Sequence, residues 1–258
     1  MSYEQSRTPE WPRFRVGLSD DLTSDAEKHK PLLDDAIDII IPTYGRPHRV
    51  AEVAADIAAA TTVEHRVLFV IEADDLATDK ACQEARVEYV TNEGARSYGG
   101  AINTGRRYSF NEWVFTGADD LHFHPGWDLA ALRCAAENPW AMVIGTDDLL
   151  NPYVKLGVHS THSLVRRSYL DEVGGVVDEG PGSFLFEGFG HNYVDTEFIG
   201  TAKARCVFRP CFESVVAHLH ESAGLSPRDA THDKADATYG ADAELYESRR
   251  PLWWTISL

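Results

Sequence analysis

The chain has 258 residues, 43% hydrophobic and 25% charged, the composition of a globular protein large enough to bury a substantial core. Its 24 basic and 41 acidic residues give a formal net charge of −17, which opposes a nucleic-acid partner because such binding relies on neutralising phosphates. No apolar run reaches the ~18 residues of a membrane span or forms a secretion signal, and the four cysteines show no C-x-x-C pair, so a cytoplasmic chain with reduced thiols is expected.

Residues 1–35 are polar and read as an N-terminal arm that Trp11 and Phe14 could pin to the surface. The core begins with IDIII at 37–41, a strand β-branched on both faces, followed by the turn PTYGRP at 42–47. VAEVAADIAAA then reads as an amphipathic helix. A second strand at 66–71 ends in Glu72, Asp74 and Asp75, with a helix over 78–85 and a short strand at 87–91 after it. Glycines at 94 and 100 open a helix around 101–108, and EWVFT at 112–116 is a fourth strand. This β-α-β alternation with short loops predicts a Rossmann-like, mostly parallel central sheet with helices on both faces. Ligands are then expected in the loops that leave the strands.

At the end of the fourth strand stand Ala118-Asp119-Asp120. Adjacent carboxylates at a sheet edge repel one another and lose hydration, so a positive group must offset them, usually a hard cation with oxygen ligands such as Mg²⁺. Beyond them come a helix at 127–137 and a buried strand at 141–144. The glycine-rich stretch 145–190 holds one clear strand, near 158–165, and reads as a loop-rich region that shapes a second substrate site; His159 and His162 could line it. YVDTEFIGTAKA at 193–204 regains helical spacing, with Asp195 and Glu197 at its start. Short strands are expected at 205–208 and 214–217, the second running into His218 and His220, and a helix at 235–250 in a polar tail. His122 and His124 read as a polar edge.

Several of these segments, in order over 37–220, together resemble the family-2-type glycosyltransferases with the GT-A fold. IDIIIPTYGRP looks like that family's first strand and loop, which implies that Pro42, Thr43, Tyr44 and Arg46 contact a nucleotide-sugar. Glu72 stands where the family commonly has a base-reading aspartate, and GARSYGGAINTG resembles the helix whose arginine and asparagine face the nucleotide, here Arg96 and Asn103. The acids resemble the D-x-D metal motif with Ala118 in place of its first acid. By that match Asp120 is the metal ligand and Asp119 touches the ribose or backs the ligand. VDTEF looks like the E-D motif with Val194 for its glutamate, implying Asp195 as general base and Glu197 as its neighbour. PCFESVVAHLH resembles the segment whose histidine completes the metal shell, with His218 the closer match and His220 the fallback.

The resemblance implies three parts: 1–35 as the arm, 36–220 as the GT-A catalytic domain and 221–258 as a helical tail. Within the catalytic domain, 36–128 would bind the nucleotide-sugar and 129–220 would face the acceptor. The implied activity is metal-dependent transfer of a sugar from a nucleotide-diphosphate sugar, by default a UDP-sugar, to a hydroxyl of a glycan, protein or small molecule, with inversion. Mn²⁺ suits a carboxylate and an imidazole better than Mg²⁺, though either could serve. Two rivals stand beside this reading. One is a non-catalytic sugar- or nucleotide-binding module, which Ala118 and Val194 keep open. The other is a nucleotidyltransferase, disfavoured because PTYGRP lacks a glycine-rich phosphate loop with a lysine. Asp195 could also be only a helix-start acid favoured by the dipole, and one of His218 and His220 only a buried core histidine.

Overall fold

The computed structural model describes residues 35–256, so the arm expected over 1–35 lies outside the described residues but for Asp35. β1 (Ile37–Thr43) is buried along almost its whole length. Its β-branched side chains alternate between two cores. Ile39 and Ile41 pack with residues of α1 (Arg49–Ala60) and α4 (Trp127–Glu137), while Ile40 packs with Ile102 of α3 (Tyr98–Arg107) and Ile199 of α7 (Val194–Ala204). Each fully buried isoleucine contributes ~1.5–3 kcal/mol relative to exposure. α3 lies so close to β1 that a Cβ on Gly105 would stand 2.4 Å from the Ile40 side chain. A glycine is required there.

Parallel pairing joins β1 to β2 (His65–Ile71) on one side and to β4 (Trp113–Thr116) on the other, and β3 (Glu88–Thr91) extends the sheet beyond β2. The helix α2 (Leu76–Ala85), capped by Asp75, connects β2 to β3. Past β4, β7 (Ser163–Arg166) runs antiparallel between β4 and β6 (Val143–Asp147). β8 (Phe208–His218) is parallel to β6, and β5 (Leu121–Phe123) lies antiparallel along β8. The order across the sheet is β3-β2-β1-β4-β7-β6-β8-β5. The result is a mixed α/β sheet flanked by helices, in which the first, second and fourth strands end at one edge.

Four expectations are corrected. The strand read at 158–165 is confined to Ser163–Arg166, because Asp148 takes the Thr161 hydroxyl at 2.7 Å and holds the preceding residues as a loop. In place of the strands read at 205–208 and 214–217 there is one long strand, Phe208–His218, because Arg205 still caps α7 and Cys206 takes a left-handed φ; its register against β6 slips between Thr146 and Asp147. Leu121–Phe123 is a strand instead of only a polar edge, its two apolar residues buried and His122 exposed beside Asp56. The helix expected from 235 begins at Ala230, because Asp229 caps it through the backbone N–H groups of Thr231 and His232. This helix, α8 (Ala230–Arg249), belongs to the same compact unit as the sheet, as does all of the chain after residue 220 that is described. The short helices α5 (Pro152–Lys155) and α6 (Arg167–Glu172) complete the fold. Among the described residues no helix is long and apolar enough to cross a membrane.

Candidate active site

A cavity of about 320 Å³ opens where the strand-end loops meet, at the small end of the range for ligand pockets. The loop after β1 forms one wall. Gly45 takes a left-handed φ of 67° and its N–H donates to Asp75 Oδ2 at 2.6 Å. Asp75 also accepts from the backbone and hydroxyl of Thr78, so a single carboxylate ties the first loop to the start of α2. These bonds hold its pKa below the usual range against the opposing effect of burial. Pro42, Thr43 and Tyr44 line the cavity beside this latch. Arg96 lies over the Tyr44 ring at 4.9 Å and donates to Tyr44 Oη and Asp74 Oδ2, each at 2.9 Å. Glu72, also in the lining, accepts from Asn92 at 2.8 Å.

The acidic pair follows β4. A Cβ on Gly117 would stand 2.5 Å from Ile41 Cδ1 and 2.7 Å from the Ile40 carbonyl oxygen, so glycine lets the chain turn tightly against β1. Asp119 is buried and accepts from Arg46 Nη1 at 2.7 Å; the same nitrogen reaches Asp120 Oδ2 at 3.3 Å. Burial, and then repulsion from Asp120, push the Asp119 carboxyl up to about 7. Asp120 keeps its charge. Burial works against it, but the His218 imidazole facing it holds its pKa below the usual range.

His218 ends β8 and places Nε2 3.6 Å from Asp120 Oδ1. The strand pairing that sets Leu121 opposite His218 makes this meeting possible. Of the two candidate histidines it is His218 that faces the carboxylate. His220 also lines the cavity, but its Nδ1 accepts from the Ser222 backbone at 3.2 Å. Two groups bound to one cation in adjacent octahedral positions at ~2.1 Å stand about 3 Å apart, so Asp120 and His218, at 3.6 Å, would need to close by roughly half an ångström to share a divalent ion. Among the described residues no group of three or more His, Cys, Asp or Glu could hold a metal, which leaves the other positions to a ligand or water.

Asp195 also lines the cavity, from the first turn of α7, and its Oδ2 lies 3.2 Å from His159 Nε2. Burial works against the charge, yet His159 holds the Asp195 pKa below the usual range. His162 is on the cavity lining, its Nδ1 2.7 Å from the carbonyl oxygen of Thr116. Burial and the nearby His218 push this imidazole down to about 4.

Two of the residues read from the sequence lie elsewhere. Glu197 is 2% exposed and bound by Arg249 through Nε and Nη2, each at 2.8 Å. It braces α7 against α8. Asn103 donates to Leu185 O and to Glu187 Oε1, both at 2.8 Å, and accepts from Leu185 N at 2.9 Å, clamping the loop after residue 184.

The α8 end brings residues that the sequence reading did not connect to the site. Asp229 Oδ2 accepts from Arg46 Nε at 2.6 Å, so Arg46 joins three acids, and His232 and Lys234 line the cavity. Among several opposing influences, Arg46 lowers Asp229 to about 2 against burial. The signal was present in Asp229 followed three residues later by His232, a capping-box spacing.

A family model described as glycosyl transferase family 2 matches residues 38–170, just over half of the chain. Among solved structures, glucosyl-3-phosphoglycerate synthase from Mycobacterium tuberculosis, in complex with Mn²⁺, UDP and glucosyl-3-phosphoglycerate, is similar with a TM-score of 0.63 at 12% identity. That match covers 86% of this chain and 85% of the synthase. The mannosyltransferase PcManGT from Pyrobaculum calidifontis, in complex with GDP-Man and Mn²⁺, is similar with a TM-score of 0.56 at 15% identity over 85% of this chain and 73% of that one. No curated protein matches the chain at a significant level. The sheet and helices are thus those of the GT-A glycosyltransferase fold.

Proposed function

The chain belongs to glycosyl transferase family 2, and from that premise we propose that it moves a sugar from a nucleotide-diphosphate sugar, by default a UDP-sugar, to an acceptor hydroxyl with inversion. The observation that carries this is the convergence of Arg46, Asp120 and His218 with Asp195 on one cavity. The first three suit a departing diphosphate, and the fourth suits an incoming hydroxyl.

The nucleotide lies along the β1 loop, with Tyr44, Glu72 and Arg96 at its base and ribose and Arg46 toward its phosphates. Asp119 fixes Arg46 there through their 2.7 Å contact. A divalent cation, Mn²⁺ by its tolerance of both oxygen and imidazole donors, would be held by Asp120 and His218 and would neutralise charge growing on the leaving diphosphate. Asp195 takes the proton of the acceptor hydroxyl as that oxygen attacks the anomeric carbon. Its lowered pKa keeps it ionised at neutral pH, and His159 orients it. One displacement from the face opposite the diphosphate inverts the configuration. The acceptor is a glycan, protein or small molecule that presents its hydroxyl beside Asp195.

A thermal-shift screen of nucleotide diphosphates and their sugars, with and without Mn²⁺, tests the reading. A ligand at ~100 times its Kd stabilises by about 2.7 kcal/mol. A uridine ligand whose shift depends on Mn²⁺ supports the proposal; no shift with any nucleotide would defeat it.

A further inference from the structure

One buried polar atom of a cavity-lining residue has no role in the chemistry above. His162, immediately before β7, is 4% exposed and lines the same cavity as Asp120 and Asp195. The Thr116 carbonyl can only accept a hydrogen bond, so Nδ1 of His162, 2.7 Å away, carries the ring hydrogen. That leaves the lone pair on Nε2. Nε2 is buried and has no hydrogen-bond partner in the protein. A buried acceptor left unpaired is costly, and native structures seldom keep one without a reason.

No neighbouring side chain fills it. The His218 ring stands edge-on with centroids 5.5 Å apart, and its Nε2 faces Asp120. Tyr98 lies 6.4 Å away between centroids and gives its hydroxyl hydrogen to the Gly117 carbonyl oxygen at 3.2 Å. Ala118, also in the lining, offers only a methyl group. In a direct displacement the moving sugar must lie between the leaving group and the base. His162 stands against His218 at the first of these and shares the cavity with Asp195 at the second.

We infer that His162 Nε2 accepts a hydrogen bond from a hydroxyl of the transferred sugar, and so positions that sugar and selects for it. The inference rests on the reading of this cavity as a nucleotide-sugar site. It adds a contact to the sugar itself, separate from those that hold the nucleotide.

Calorimetric titration of wild type and His162→Asn tests it, with UDP against UDP-glucose and GDP against GDP-mannose, all in Mn²⁺. Asparagine keeps a donor for the Thr116 carbonyl but is too short to replace Nε2. The variant is expected to bind the diphosphate within twofold of wild type, while the preference for the sugar nucleotide falls about tenfold, or ~1.4 kcal/mol. His162→Gln, which is longer, should recover part of the preference and serves if the asparagine variant does not fold. Equal weakening of both ligands, or no change in either, would overturn the inference. So would a loss of affinity for Mn²⁺ alone, which would give the lone pair to the cation. If wild type binds none of the four nucleotides, the donor reading itself fails, and this inference with it.

Discussion

Arg249→Met should cost several kcal/mol of stability without touching the reaction centre. Arg249 gives two hydrogen bonds to Glu197, which is 2% exposed, and a 2.6 Å contact to the half-exposed Asp178. Its guanidinium also covers the Phe186 ring at 3.5 Å, and the methionine keeps part of that packing. The substitution leaves a buried carboxylate unpaired, a loss of ~3–5 kcal/mol. A loss of about 3–5 kcal/mol at pH 7 follows. Urea denaturation of both proteins measures it, and Glu197→Leu with Arg249→Met should restore most of the stability. The double variant should also keep its transferase activity, because Glu197 faces away from the cavity. A loss below 1 kcal/mol in the single variant would refute the reasoning.

Asp195→Asn should bind the nucleotide-sugar as wild type does but transfer it 10²–10⁴-fold more slowly, as steady-state rates beside calorimetric affinities would show. His159 is raised above its ordinary 6.5, with Asp195 outweighing burial, so its contribution to stability is full below pH 6.5 and fades as pH rises through the folded-state value. The melting-temperature gap between wild type and His159→Gln should therefore be widest at pH 5–6 and narrow above; a gap that widens with pH would contradict the pairing. Gly117→Ala forces a Cβ to 2.5 Å from Ile41, an overpacking cost of ~1–3 kcal/mol in a denaturant melt, and it should weaken donor binding by shifting the adjacent acids.

Much of this arrangement was legible before any coordinates. The apolar runs of β1, β2 and β4 announce buried parallel strands, and such strands deliver their following loops to one edge. That is why Arg46, Asp119, Asp120 and Glu72 arrive together. Two failures share a cause in local geometry. Asp195 and Glu197 are two residues apart on a helix, about 200° around its axis, so one that faces the cavity turns the other into the core. Motif spacing alone does not carry that rotation. Asn103 sits on a helix packed beneath a loop whose path no local pattern encodes. The contribution of α8 was hidden for a different reason. The helix is polar on most faces, with only His232, Asp242 and Arg249 buried, so hydrophobic periodicity did not mark where it starts. Its long-range contact, Asp229 with Arg46 across 183 positions, is a product of the fold.

The most direct test is anomalous scattering from crystals grown with Mn²⁺ and UDP. The account predicts a manganese peak within ~2.3 Å of both an Asp120 carboxylate oxygen and His218 Nε2, with the diphosphate completing its coordination. A diphosphate bound in this cavity with manganese elsewhere, or with none, would contradict it.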